Sequence, residues 1–456
     1  MVRAVSSVGG ATWRLGPVGG APRRTTPSPS SERRGIGRST RRAFLTDAVA
    51  ASAALLLAGG PRAAEPGPTR YLLLNRTPGH PWWYNNPESF TPDGFEEVRR
   101  AVTSRPDGPI RVGVSYIFSY LNAADPAKCE ASLRRFLELA QAAETPVMVH
   151  LDGENWWDAR PELWNWWDPK RPGYNPANAA NVEWTGWGPE HALKIAWRNW
   201  GRQIRVLPPP NLISPAYRAA CRQAMSRLVP IVRDWWQALP LDRRDLFVGL
   251  KLGHETSIGV NAWHYPGGNA LLDQPAERDP QYGLRTDDVI ARGVAGQGYA
   301  AVSSAGLRTT GDLTEDDLLE VCRRHLADLC RQAAALGLPR DRIFTHGVGW
   351  REGEKLYQAA LNADACPGWS FYRHAGDPLA DRAVAECLKR SDAPWWGAVE
   401  WLYQGPRTVQ DWRRALTKTL GTERCRLLCV FNWEGVRDSG AILEAMRQVA
   451  AGAGLG

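Results

Sequence analysis

Eight short apolar runs, separated by longer segments with helical periodicity, constrain the fold of this chain more than any other feature. The runs lie at 71–75, 111–117, 146–151, 246–252, 342–347, 369–373, 396–400 and 426–432. Near-continuous apolar runs are typical of parallel strands buried on both faces. Helical patterns lie between many of them, most clearly at 127–143, 215–238, 315–337, 378–390 and 437–451. This alternation predicts an α/β fold, a (β/α)₈ TIM barrel, rather than an open sheet.

Two connections in this pattern are much longer than ordinary strand-to-helix loops. They span residues 152–214 after strand 3 and residues 253–313 after strand 4. Residues 298–303 could form a ninth strand, but glycine and serine crowd them and we expect a loop. Loops that follow barrel strands leave at the C-terminal face, where barrel enzymes have their active sites. The two long loops are therefore expected to build a substrate cleft.

The first 64 residues differ in composition from the rest of the chain. They hold ten arginines and two acids, so they account for the whole net charge of +8 and leave residues 65–456 neutral. Because residues 65–456 carry no net charge, they lack the excess of basic residues that is typical of nucleic-acid-binding proteins. We predict a disordered leader at 1–64, followed by one barrel domain at 65–456. The composition gives no indication of the oligomeric state.

The leader also contains a recognisable export pattern. The run Ser39-Thr40-Arg41-Arg42-Ala43-Phe44-Leu45 resembles the twin-arginine motif, and an apolar stretch of about eleven residues follows at 48–58. A membrane-spanning helix needs ~20 apolar residues. We therefore predict a signal peptide, export to the periplasm or the cell exterior by the twin-arginine route, and no stable membrane insertion.

The sequence lacks the usual signatures of metal and cofactor sites. It has eight cysteines but no CxxC, and no HExxH, P-loop or GxSxG motif. His150, His346 and His374 lie at or beside strand ends and could ligate zinc, but their scatter gives no ligand spacing. We expect a protein without metal or cofactor, in which His346 hydrogen-bonds a sugar or a carboxylate.

Two glutamates follow two of the apolar runs, at the ends of strands 4 and 7. Glu255 closes Phe247-Val248-Gly249-Leu250-Lys251-Leu252-Gly253-His254-Glu255, and Glu400 closes Trp395-Trp396-Gly397-Ala398-Val399-Glu400. The C-terminal ends of barrel strands share one mouth, so these carboxylates can face each other. Glycoside hydrolases use two opposed carboxyl groups as their catalytic residues. A distance of ~5–5.5 Å between these two carboxyl groups is typical of the retaining mechanism.

This arrangement resembles clan A of the glycoside hydrolases, the retaining (β/α)₈ enzymes. The resemblance implies that Glu255 is the acid/base and Glu400 the nucleophile. It also implies that Trp433, just beyond strand 8, forms the floor of a sugar subsite, and that Tyr372 hydrogen-bonds the nucleophile. One position departs from the clan: its usual asparagine before the acid/base is His254 here, which we expect to bind substrate in its place.

Aromatic and polar residues are concentrated in the two long loops. Nine of the 22 tryptophans lie in the first, at positions 156, 157, 164, 166, 167, 184, 187, 197 and 200. Indole faces stack on the apolar faces of sugars, whereas polar groups at the rim bind hydroxyls. The predicted carbohydrate-binding residues are, in addition to those above, Trp156, Trp157, Asp152, Glu154, Asn261, Trp263, His264 and Trp401.

The sequence therefore predicts an exported glycoside hydrolase that cleaves an oligo- or polysaccharide. Two alternatives remain open at this point. A catalytically inactive barrel could hold carbohydrate through its tryptophans without needing both glutamates. A different barrel hydrolase or a lyase could use Asp152 or Glu154, with or without metal.

Overall fold

The computed structural model describes most of the chain after the leader. The described residues are 69–76, 83–104, 108–199, 202–259, 261–285, 293–348 and 354–452. The predicted leader and its twin-arginine signal lie outside them. None of the helices in these segments is long and apolar enough to cross a membrane.

Eight parallel strands close into a barrel, in the order in which they follow one another along the chain. The last strand pairs with the first, with Tyr71 opposite Leu427. The strands are β1 (Arg70–Asn75), β2 (Ile110–Ser119), β3 (Val147–Asp152), β4 (Phe247–Thr256), β5 (Ile343–Gly347), β6 (Gly368–Phe371), β7 (Trp396–Trp401) and β8 (Cys425–Phe431). The predicted (β/α)₈ barrel is confirmed.

Helices surround this barrel and occupy the segments predicted from periodicity. They are α1 (Asp93–Ala101), α2 (Pro126–Ala142), α3 (Pro161–Trp164), α4 (Pro215–Ala238), α5 (Tyr299–Ser304), α6 (Glu315–Ala335), α7 (Arg382–Arg390), α8 (Val409–Leu420), α9 (Trp433–Val436) and α10 (Gly440–Ala450). A 3₁₀ helix, Glu354–Ala360, follows β5. Residues 298–303, expected to form a loop, contribute to the short helix α5 and not to a ninth strand.

Apolar side chains form two separate layers on either side of the strands. The larger layer packs the outer faces of the strands against the helices. The smaller layer fills the barrel and includes Tyr71, Leu73, Met148, Val248, Phe344, Val399 and Leu427. All eight cysteines are buried and unpaired. The barrel interior is thus a packed core whose polar groups are concentrated near the C-terminal strand ends.

The two long loops pair with each other above the barrel. The first contributes strands Ala196–Asn199 and Gln203–Val206, and the second contributes Ala262–Trp263. These form a three-stranded antiparallel sheet with Trp197 opposite Trp263. Both loops leave from the face that carries Glu255 and Glu400, so this sheet forms one wall of the barrel mouth.

Candidate active site

Strand β4 leaves regular geometry just before Glu255. Its pairing with β5 shifts register between Leu252 and Thr256, and Gly253 and Glu255 have φ angles of +83° and +51°. A Cβ atom at Gly253 would lie 2.5 Å from the Thr256 hydroxyl, so glycine is required there. Bulges at barrel rims redirect side chains, and a left-handed non-glycine residue costs about 1–3 kcal/mol. This local strain is therefore concentrated at the residue predicted to be catalytic.

Glu400, on β7, is buried and surrounded by hydrogen-bond donors and cations. Only 3% of the residue is exposed. The Tyr372 hydroxyl donates to its Oε1 atom. Its Oε2 atom lies 3.9 Å from the Lys251 Nζ atom, 3.8 Å from His346 Nε2 and 4.0 Å from His254 Nε2. Both carboxyl oxygens of Glu400 therefore face hydrogen-bond donors or nitrogen groups of neighbouring side chains.

Glu255 occupies a different electrostatic environment. It is 8% exposed, and the Asn261 amide donates to its Oε2 atom at 2.7 Å. Burial raises the pKa of Glu255, and the nearby charge of Glu400 raises it further; the opposing effects of His254, Arg198 and a hydrogen bond with Ser370 are smaller. The protonated acid is thus favoured at Glu255.

His254 links the site to Asp152, the last residue of β3. Its Nδ1 atom lies 3.2 Å from the Asp152 carboxylate. Burial opposes the imidazolium, but the charge and hydrogen bond of Asp152 outweigh it and raise the pKa of His254. The Asp152 carboxylate also accepts hydrogen bonds from the Ser119 hydroxyl and from the amides of Glu154 and Asn155. Asp152 therefore anchors His254.

Three histidine rings lie against one another in the barrel mouth. The ring centroids of His254 and His346 are 5.4 Å apart, and those of His150 and His254 are 4.9 Å apart. Burial lowers the pKa of both His150 and His346 well below the usual range, so these two are neutral. His346 also hydrogen-bonds the Ser370 hydroxyl at 2.7 Å, and Ser370 in turn contacts Glu255.

One group of side chains in the described segments has the spacing of a metal site. Atoms of His254, His346 and Glu400 lie within 4.8 Å of one another. However, the Lys251 Nζ atom is 3.9 Å from the same carboxylate and would compete with any cation. We therefore assign no metal to this cluster.

Glu154 belongs to a neighbouring cluster that supports the end of β4. It accepts a hydrogen bond from the Thr256 hydroxyl at 2.8 Å and lies 3.1 Å from the buried His325 of α6. These contacts hold the residue next to Glu255 in place. The carboxylates of Asp152 and Glu154, the predicted alternatives for catalysis, thus both form hydrogen bonds with neighbouring protein groups.

Two tryptophans predicted to bind sugar are instead packed inside the protein. Trp157 is buried, donates to the Pro208 carbonyl and contacts Tyr217. Trp401 is buried among the helices, where its N–H donates to the Ala375 carbonyl. We therefore remove both from the predicted sugar contacts, because their faces are already covered by protein.

The remaining predicted aromatic and loop residues fall into two groups. The first group, Trp433, Trp263 and His264, is buried. His264 also forms a hydrogen bond through Nδ1 with the Ile195 carbonyl. Partly exposed indoles belong to Trp156, Trp166, Trp167, Trp184 and Trp187. Trp200 lies outside the described residues. The partly exposed indoles among the predicted residues therefore all lie in the first loop.

The sequence analysis missed Lys251, Ser370, Arg198 and Glu183. Lys251 is buried in β4, where its ammonium donates to the Val399 carbonyl at 3.3 Å. A lysine within an otherwise apolar strand run was the available signal, because a buried cation requires a partner. The other three have no comparable local signal, since only the fold brings them to the mouth.

A small cavity opens beside Glu255, between the two long loops. Its lining includes Glu255, His254, Glu154, Asn155, Glu183 and Arg198. Pro209 and Pro210 add an apolar wall. Of the two central glutamates, which both lie in described segments, only Glu255 lines this cavity.

Comparisons with known proteins give structural neighbours only. No protein-family model matches the chain, and no curated protein matches it. A GH5_18 structure from Bifidobacterium longum subsp. longum, in complex with Manβ1-4GlcNAc, is 12% identical, with a TM-score of 0.42 over 84% of this chain and 78% of that one. A glycoside hydrolase family 5 enzyme from Prevotella bryantii B14 is 9% identical, with a TM-score of 0.37 over 79% of this chain and 86% of that one. These two neighbours are glycoside hydrolases of family 5, and the barrel of this chain is established by its own strands.

Proposed function

We propose that this protein is a retaining glycoside hydrolase that acts on an oligo- or polysaccharide. The observation that supports this most strongly is the pair of buried glutamates in one barrel mouth, held in unlike environments. Burial and a neighbouring anion favour the protonated form of Glu255. A hydroxyl donor and nearby nitrogen groups surround Glu400. Two carboxyl groups with opposed protonation are what the double-displacement reaction requires.

In the first step, a carboxylate oxygen of Glu400 attacks the anomeric carbon. The bond between this carbon and the glycosidic oxygen breaks, and Glu255 gives its proton to that oxygen. In the second step, Glu255, now ionised, removes a proton from water. The water oxygen attacks the anomeric carbon, releases the Glu400 carboxylate and returns the sugar with its original configuration.

The neighbours of Glu400 have a positioning role in this proposal. The Tyr372 hydroxyl fixes one carboxylate oxygen, and Lys251 balances its charge from 3.9 Å. The Nδ1 atom of His254 is held by Asp152, and its Nε2 atom lies on the Glu400 side. We infer that the Asp152–His254 pair stabilises the ionised nucleophile, and that no metal or cofactor takes part.

Substrate contacts come from the first long loop in this proposal. The partly exposed indoles, above all Trp156, which follows the cavity residue Asn155, supply stacking faces. Export through the twin-arginine route stays a prediction from the leader. An exported enzyme would meet polysaccharide outside the cytoplasm, which agrees with the proposed substrate class.

Hydrolysis of a panel of 4-nitrophenyl glycosides and oligosaccharides tests this function. We expect at least one substrate to be cleaved, with no loss of rate in excess EDTA. Because Glu255 must be protonated and its pKa is raised, kcat/KM should persist above pH 4.5 and fall as the pH rises through the pKa of Glu255. Rates that depend on added metal, or a panel with no product at all, would contradict the proposal.

A further inference from the structure

The segment of β4 that carries Glu255 is not fixed by the regular strand pairing of the barrel. Pairing of β4 with β3 ends at Leu151 opposite Leu252. Pairing of β4 with β5 skips from Leu252 to Thr256, and these four steps along β4 match only two steps along β5. Within this gap Glu255 has a φ angle of +51°, a left-handed conformation that residues with a Cβ atom rarely adopt. Contacts other than the strand ladder must therefore hold Glu255 in place.

Two side chains of β3 hold the residues that precede Glu255. The Nε2–H group of His150 donates to the Gly253 carbonyl at 2.7 Å. The Asp152 carboxylate lies 3.2 Å from the Nδ1 atom of His254. Both β3 side chains are fully buried, so water does not compete for these contacts. The two residues before the proposed acid/base are thus fixed from β3.

Glu154, two residues beyond Asp152, holds the residue that follows Glu255. Its Oε1 atom accepts a hydrogen bond from the Thr256 hydroxyl at 2.8 Å and lies 3.1 Å from the Nε2 atom of His325. The backbone amide of Glu154 donates to the Asp152 carboxylate at 2.8 Å, which fixes the two acids relative to each other. Thr256 and His325 are each 1% exposed. The end of β3 therefore contacts β4 on both sides of Glu255.

We propose that Asp152 and Glu154 are positioning residues that clamp the strained Glu255 from both sides, and that this clamp is their part in the reaction. The proposal rests on the proposed function, which gives Glu255 its two proton transfers. Misplacement of a reacting group by about 1 Å can cost on the order of 10²-fold in rate. Asp152 also orients His254 toward Glu400, whereas the hydrogen bond between Glu154 and Thr256 acts through Glu255. The Glu154 side of the clamp therefore gives the cleaner test.

Substitutions of Thr256 release or keep the clamp at nearly constant shape. Thr256→Val removes the hydroxyl that bonds Glu154, whereas Thr256→Ser keeps it. In Thr256→Val we expect kcat/KM to fall about tenfold on a disaccharide but less than about threefold on the 2,4-dinitrophenyl glycoside of the same sugar, whose leaving group needs no proton. Thr256→Ser should restore the wild-type ratio of the two values. Thr145→Val is the matched control, because this buried threonine lies before the opposite end of β3 and its hydroxyl donates to the Ala143 carbonyl.

Azide provides a readout that a purely structural role of Thr256 would not change. Release of the intermediate limits kcat on the activated glycoside, and this step needs Glu255 as the base for water. Azide attacks the anomeric carbon without a base and releases the Glu400 carboxylate. Azide should therefore raise kcat of Thr256→Val, with a glycosyl azide of retained configuration, but not kcat of Thr256→Ser. Equal losses on both substrates with no azide effect, or an unchanged ratio in folded Thr256→Val, would overturn the clamp while leaving the glycosidase function intact.

Thermal unfolding tests the clamp without turnover. Glycine tolerates a left-handed conformation that alanine does not, so the unfolding temperature of Glu255→Gly minus that of Glu255→Ala contains the strain at this position plus a constant contribution from the unfolded chain. We expect this difference to fall by about 1–2 °C when Thr256→Val is added to both variants, because the released segment can relax. An identical difference with threonine and with valine would overturn the clamp. The expected fall in a protein that hydrolyses no glycoside would count against the proposed function alone.

Discussion

Glu400→Gln is expected to abolish hydrolysis of every substrate, including aryl glycosides with activated leaving groups. Glutamine keeps the size of the side chain but cannot form the glycosyl ester, so kcat should fall on the order of 10⁴-fold or more, the scale of losing a nucleophile. The fold should survive, because Tyr372 can still hydrogen-bond the amide oxygen. Initial rates with purified protein, compared with thermal unfolding of the same sample, measure both effects.

The exposed Glu423, which precedes β8 at the opposite end of the barrel, provides the matched control. Glu423→Gln should retain wild-type rates. Added azide should restore turnover to the smaller variant Glu400→Ala, because the anion can attack the anomeric carbon from the vacated side, and the glycosyl azide should have inverted configuration. Full activity of folded Glu400→Gln would remove this residue from the mechanism.

Glu255→Ala is expected to separate substrates by the quality of their leaving groups. General acid catalysis contributes ~10²–10⁴-fold when the leaving oxygen needs a proton. We therefore expect a loss of this size on a disaccharide and a much smaller loss in the first step on a 2,4-dinitrophenyl glycoside. Steady-state and pre-steady-state rates on both substrates measure the difference.

Azide distinguishes the second function of Glu255. With no base to activate water, the intermediate on Glu400 should accumulate, and azide should release it as a glycosyl azide of retained configuration. The alkaline limb of the pH profile should also disappear for the activated substrate, because that limb reports the proton on Glu255. Equal losses on both substrates, together with no effect of azide, would mean that Glu255 is not the acid/base.

The barrel could be predicted because each strand is a local pattern. Runs such as 246–252 and 426–432 are mostly apolar, apart from Lys251 in the first and the terminal Arg426 and Asn432 of the second, and strands covered on both faces need such runs. The positions of Glu255 and Glu400 followed from the same pattern, because strand ends converge in a barrel. The apolar pattern did not predict the bulge that redirects Glu255. The local feature that permits this bulge is Gly253, two residues earlier.

Side-chain surroundings were less predictable than strand positions. Trp157 and Trp156 are adjacent in the sequence, yet the first packs on Tyr217 and the second is partly exposed. Composition cannot separate a core indole from a binding indole, since both are large, flat and apolar. Glu183 comes to the cavity only because the two long loops fold over the mouth together, which depends on contacts between residues far apart in the chain.

The central claim is that Glu400 forms a covalent bond to the sugar. Incubation with 2,4-dinitrophenyl 2-deoxy-2-fluoroglycosides of glucose, mannose and galactose tests it most directly, because the fluorine slows release of the intermediate more than its formation. Mass spectrometry of the intact protein should show one added fluoroglycosyl group, and peptide mapping should place it on Glu400. Labelling of Glu255, Asp152 or Glu154 instead, or unlabelled protein that hydrolyses natural substrates with inversion of configuration, would contradict the account.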